Sequence, residues 1–96
     1  MRFAFIFMNT DLPGIERTTI RGGDSEFVGV RSVQEACDSA KALVDEGVGC
    51  IELCGAFGED GARAVMEATG RRVPVGYIVQ LPELEDVCRK AFGGSA

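Results

Sequence analysis

At 96 residues the chain holds one domain's worth of sequence and leaves no room for a separate catalytic or regulatory unit. With 46% hydrophobic and 26% charged residues it has the composition of a globular protein, and its net charge of -5 argues against duplex nucleic acid and anionic membrane surfaces as partners. A domain of this size buries only about 60–65% of the surface its unfolded chain exposes, so the core is thin and a homo-oligomer is expected.

The run Phe3-Ala4-Phe5-Ile6-Phe7-Met8 is apolar without alternation, which reads as a central strand covered by helices on both faces. It is too short for a signal-peptide core with its cleavage site, and far short of the ~20 residues of a membrane span. Cytoplasmic residence is the expectation. A long connection (9–25) starts at Asn9, carries Asp11, Pro13, Gly14, Gly22, Gly23 and Asp24, and includes a short strand near Thr18-Thr19-Ile20 before the next clear strand at 26–30. Connections of that length serve as lids, binding loops or oligomer contacts, or simply wander over the surface.

Ser32-Val33-Gln34-Glu35 is a capping box, in which the serine hydroxyl and the glutamate carboxylate satisfy each other's free backbone donors. It opens a helix to about Glu46, with Val33, Ala36, Cys37, Ala40, Leu43 and Val44 on its apolar face and Gly47 as its left-handed end. A strand at 50–54, a glycine-containing turn and a helix at 60–69 follow. That helix turns Ala62, Val65, Met66 and Thr69 inward and ends at Gly70. A strand at 73–81 tolerates Pro74 near its start and is broken by Pro82. Leu84, Val87, Cys88, Ala91 and Phe92 form the apolar stripe of a closing helix, and 93–96 reads as a frayed tail.

The order is β-loop-β-α-β-α-β-α, which predicts an α/β fold: a small, mostly parallel sheet of about four strands flanked by about three helices. Right-handed crossovers would cover the sheet on two faces, or make it a fragment of a barrel-like layer. The four cysteines lack Cys-x-x-Cys spacing and the chain has no histidine, so neither a disulfide framework nor a zinc site is expected. Cys37 and Cys88, on apolar helix faces, read as core.

The stretch Ile51-Glu52-Leu53-Cys54-Gly55-Ala56-Phe57-Gly58-Glu59-Asp60 places a carboxylate inside an apolar run. Strand alternation puts Cys50, Glu52 and Cys54 on one face, and the carboxyl ends of parallel strands are where open sheets bind ligands. Asn9, Gly55, Phe57 and Tyr77 are the expected ligand-binding residues around this end, and Gln80 reaches the same rim. Desolvation would raise the pKa of Glu52 toward the range useful in proton transfer, making it a candidate catalytic acid or base. Its rival reading is a carboxylate held by Arg2, Arg31, Arg72 or backbone donors. Cys54 precedes a helix start and is a candidate nucleophile, although Glu52, Glu59 and Asp60 oppose a thiolate. Three ligands on one straight strand span too far for a single tetrahedral metal ion. Gly55, Gly58 and Gly61 lack the spacing of a dinucleotide or phosphate-loop fingerprint and read as turn chemistry, with Phe57 at the tip or packed on a ligand or subunit. No cofactor is implied.

The segments VGVRS (28–32), EAC (35–37), EGVGCIELCGAFG (46–58) and VPVGYIV (73–79) resemble a family of small bacterial α/β proteins classed only as a domain of unknown function. The resemblance covers nearly the whole chain and implies no established activity. The pattern at 47–53 is also loosely similar to a glutamate-bearing strand of some small barrel aldolases. Those enzymes use a Schiff-base lysine, whereas Lys41 and Lys90 both fall on helices here. Three readings follow: a protein binding a small polar metabolite around Glu52, a lyase or isomerase in which Glu52 moves a proton with help from Tyr77 or Cys54, and a structural subunit of a homo-oligomer.

Overall fold

The computed structural model describes residues 1–93. The tail expected at 93–96 lies, apart from Gly93, outside the described residues. Five strands form one mixed sheet: β1 (Phe3–Met8), β2 (Glu16–Ile20), β3 (Ser25–Val30), β4 (Cys50–Leu53) and β5 (Val75–Tyr77), in the spatial order β2-β3-β1-β4-β5. Among the described residues only the β2–β3 pair is antiparallel. The helices are α1 (Val33–Asp45), α2 (Gly58–Ala68) and α3 (Glu85–Ala91). Among the described residues no helix is long and apolar enough to cross a membrane.

The chain crosses from β3 to β4 through α1 and from β4 to β5 through α2. Each crossover moves in the same direction across the sheet, so right-handed connections put both helices on one face. That face carries Ala4 and Ile6 of β1, Val28 and Val30 of β3, and Ile51 and Leu53 of β4, packed against Ala36, Ala40 and Leu43 of α1 and Ala62 and Val65 of α2. Alanines on the helix faces let the backbones sit close to the branched strand residues. The helix ends are as expected: Gly47 and Gly70 take φ of 103° and 66°.

Three expectations are corrected. First, β1 is central but not covered on both sides: Ala4 and Ile6 are 0% and 1% exposed, whereas Phe3, Phe5 and Phe7 are 39%, 37% and 44% exposed. Its unbroken apolar character hides an alternation, because a phenylalanine and an isoleucine score alike while facing different environments. Second, the stripe on α3 is not buried within the chain, and Cys88 is half-exposed rather than core; no residue of α3 is buried. The last strand is also shorter than 73–81, since β5 sits at the sheet edge with a single neighbour and stops at Tyr77.

The capping box forms by half. Ser32 Oγ accepts from the Glu35 N–H at 3.1 Å, but the Glu35 carboxylate accepts from the backbone N–H of Arg31, at 2.8 Å, and from the Arg31 guanidinium. The nearby cation draws the carboxylate one residue further back than the box geometry.

Candidate functional site

Beyond β4 the chain turns sharply. The Cys54 N–H still donates to Ile6 O of β1 at 3.0 Å, and Cys54 Sγ accepts from the Met8 N–H at 3.4 Å. Gly55–Phe57 make one tight turn before α2. Packing accounts for the glycine spacing. A Cβ on Gly55 would lie 3.1 Å from the backbone oxygen of Ile78, one on Gly61 would lie 3.1 Å from Phe57 Cβ, and Gly58 sits at φ 62°. Phe57 is therefore buried in the core at the foot of α2, not exposed at a tip.

Next to this turn, Ile78 N–H donates to Leu53 O at 2.9 Å and carries the strand pairing one residue past β5. Pro82 then ends the extended chain and starts a short turn into α3. Between the two segments lies a cleft of about 840 Å³, lined by Cys54, Gly55 and Ala56 on one side, Tyr77, Ile78, Val79 and Gln80 on another, and Cys88 and Phe92 of α3 on the third. It opens at the carboxyl ends of two parallel strands.

Of the residues expected to surround a ligand, the cleft brings together Cys54, Gly55 and Tyr77, with Gln80 beside them. Asn9, Glu52 and Phe57 are not among its lining. Asn9 organises its own turn, its Oδ1 accepting from the Asp11 N–H at 2.9 Å. Glu52 stands opposite Phe5 and Gly76 in the sheet register and so points to the face without helices. A Cβ on Gly76 would meet Glu52 Oε2 at 3.3 Å, and the Cys50 thiol donates to Oε1 at 3.5 Å. Tyr77 pairs with Leu53 and lies on the opposite face from Glu52.

None of the three arginines weighed as partners for Glu52 reaches it. Arg2 and Arg31 bind Glu26 and Glu35, and Arg72 binds Asp45 at 2.9 Å. Among the described residues Glu52 makes no ion pair. The fully buried carboxylate belongs to Glu26, 2% exposed, which accepts from both Arg2 and Arg17. Hydrogen bonds from Arg17, with the charges of both arginines, hold its carboxyl below the usual carboxylate range despite burial. Burial, followed by the Glu52 carboxylate, pushes the Cys50 thiol up.

One family model matches residues 1–93. The chain belongs to a family of unknown function, DUF6506. Comparisons with curated proteins and with solved structures give no match.

For this member of DUF6506, the lining residues that sequence reasoning missed are Ala56, Ile78, Val79, Cys88 and Phe92. Ile78 and Val79 read as strand interior and Cys88 and Phe92 as core. The available signal was Pro82, which must end the extended segment and start the turn that brings the apolar side of α3 against the cleft.

Proposed function

We propose that this protein binds a small molecule with an apolar body and a polar end in the cleft between the Cys54–Ala56 turn, the segment after β5 and α3. The single observation that carries this reading is the position and size of that cleft. It lies at the carboxyl ends of β4 and β5, and its volume of about 840 Å³ falls within the ~300–1,000 Å³ of ordinary ligand pockets. Ala56, Ile78, Val79 and Phe92 would take the apolar body, while the Tyr77 hydroxyl, the Gln80 amide and the Cys54 thiol offer hydrogen bonds to the polar end. The four free cysteines suit action in a reducing cytoplasm.

The test is native mass spectrometry of gently purified protein, before and after incubation with a total metabolite extract. A retained mass is expected on the wild-type chain. Ala56→Trp, which fills the cleft from an exposed position, should lose it without lowering the melting temperature by more than a few degrees. Glu52→Gln should keep it. A mass that persists in Ala56→Trp, or no retained mass under either condition, overturns the reading.

A further inference from the structure

The unused feature of the fold is a pair of apolar surfaces that the chain does not bring together. One is the helix-free face of the sheet, where Phe3, Phe5 and Phe7 run down β1 and Phe5 stacks on Phe27 of β3, with ring centroids 5.3 Å apart. At ~200 Å² per phenylalanine, the β1 row alone leaves roughly 240 Å² of ring surface in water. The other is α3, whose Leu84, Val87 and Phe92 are 41%, 60% and 73% exposed. A helix of seven residues has no stability of its own in water and depends on covering its apolar side. In its own chain α3 stands at the cleft, past the carboxyl edge of the sheet, and leaves the phenylalanine row open.

We propose that a second copy of this chain docks on the open face, with α3 of each copy lying across the Phe3-Phe5-Phe7 row of the other. Helix against sheet is the ordinary way an α/β layer closes, and two copies of one self-complementary surface make a closed two-fold dimer. The open face supplies about half of the area: strands of six, five, six, four and three residues outline roughly 380 Å² in projection, against about 800 Å² per partner in a stable interface. The exposed side of α3 adds to it. Charge agrees as well: Glu52 lies beside Phe5 without an ion pair, and Lys90, flanking the α3 stripe, has none among the described residues, whereas Arg89 is held by Glu85 and Asp86. Across the interface Lys90 would meet Glu52. Residues Cys88 and Phe92 keep their places in the cleft, because α3 stays where it is and the partner approaches its outer side.

Sedimentation equilibrium and native mass spectrometry of the full chain test this directly. The wild type should be a dimer of the 10.2 kDa chain at micromolar concentration. Val87→Glu, at a position 60% exposed in the single chain, should raise the dimer dissociation constant at least tenfold with an unchanged circular dichroism spectrum. Glu52→Lys and Lys90→Glu should each weaken the dimer, and the double variant should recover it. A monomeric wild type, as expected if α3 folded onto its own sheet or if a different protein covered the face, overturns the proposal. So does a dimer indifferent to Val87→Glu, as a sheet-on-sheet contact without α3 would be.

Discussion

Arg17 on the edge strand β2 holds the buried carboxylate of Glu26 on β3 with two N–H···O bonds, Nε to Oε2 at 2.9 Å and Nη2 to Oε1 at 3.0 Å. Arg2 adds a third bond at 3.1 Å and also donates to Gly23 O and Glu46 O, so the arrangement ties the start of β1, the β2–β3 hairpin and the end of α1 together. Arg17→Met removes the two-pronged partner and leaves Arg2 as the remaining cation. A loss of about 2–3 kcal/mol is expected, somewhat under the full cost of orphaning a buried charge. Urea denaturation measures it, and Arg17→Lys should recover only part, because an ammonium cannot make the paired geometry.

Acid should weaken the fold through the same cluster and through the separate Arg31–Glu35 pair. Glu26, Glu35 and Glu46 all titrate below the usual carboxylate range, through hydrogen bonds from Arg17, Arg31 and Arg17 respectively. A carboxyl depressed on folding contributes stability that is present above its unfolded pKa, about 4.3, and lost as pH falls through the lower folded value. The urea midpoint is therefore expected to hold steady from pH 7 to about pH 5 and to fall below that. Glu26→Gln should start lower and show a shallower acid limb; an acid limb of unchanged slope would remove Glu26 from the account.

Glu52 and Phe57 should separate by stability, although both stand in the same apolar run. Among the described residues Glu52 has no cation to lose, and a glutamine can still accept from the Cys50 thiol, so Glu52→Gln is expected to change the unfolding free energy by less than about 0.5 kcal/mol. Phe57 is 6% exposed in the core, and Phe57→Ala is expected to cost about 3–5 kcal/mol. Parallel urea titrations of the two variants provide the comparison.

The Cys50 thiol should respond to its neighbour. Burial comes first in raising its pKa and the Glu52 carboxylate second, so Glu52→Gln lowers it and enlarges the thiolate fraction at pH 8. Iodoacetamide labelling followed by peptide mass spectrometry should show Cys50 reacting a few-fold faster in the variant. Cys37, raised by burial and then by Asp38, should keep its rate and serves as the internal reference.

The start of α1 offers a local check. Ser32→Ala removes the acceptor for the Glu35 N–H and is expected to cost about 1 kcal/mol. Glu35→Ala should cost less, because its carboxylate caps the Arg31 N–H on an exposed surface.

Local order was legible because it is written in short spacings. The cap at Ser32, the apolar period of α1, the glycine ends at 47 and 70, and the alternation of strands and helices depend on residues within a few positions of one another, and all are found in the structure. Even the short strand at Thr18–Ile20 could be read from its β-branched residues. The position of Glu52 relative to Glu26 could not. Both are acids in apolar strands, and only the side on which α1 and α2 land decides that Glu26 is buried and needs two arginines while Glu52 faces the open side.

The sequence by itself determined the class of fold, the order of its elements and the ends of its helices, since hydrophobic period and backbone preference act locally. Tertiary structure alone decided which face of β1 is covered, where Glu52 points, and that α3 walls a cleft instead of joining the core. Those outcomes depend on the hand of two crossovers and on contacts between residues tens of positions apart, where a phenylalanine in the core and one on an open face are spelled the same way.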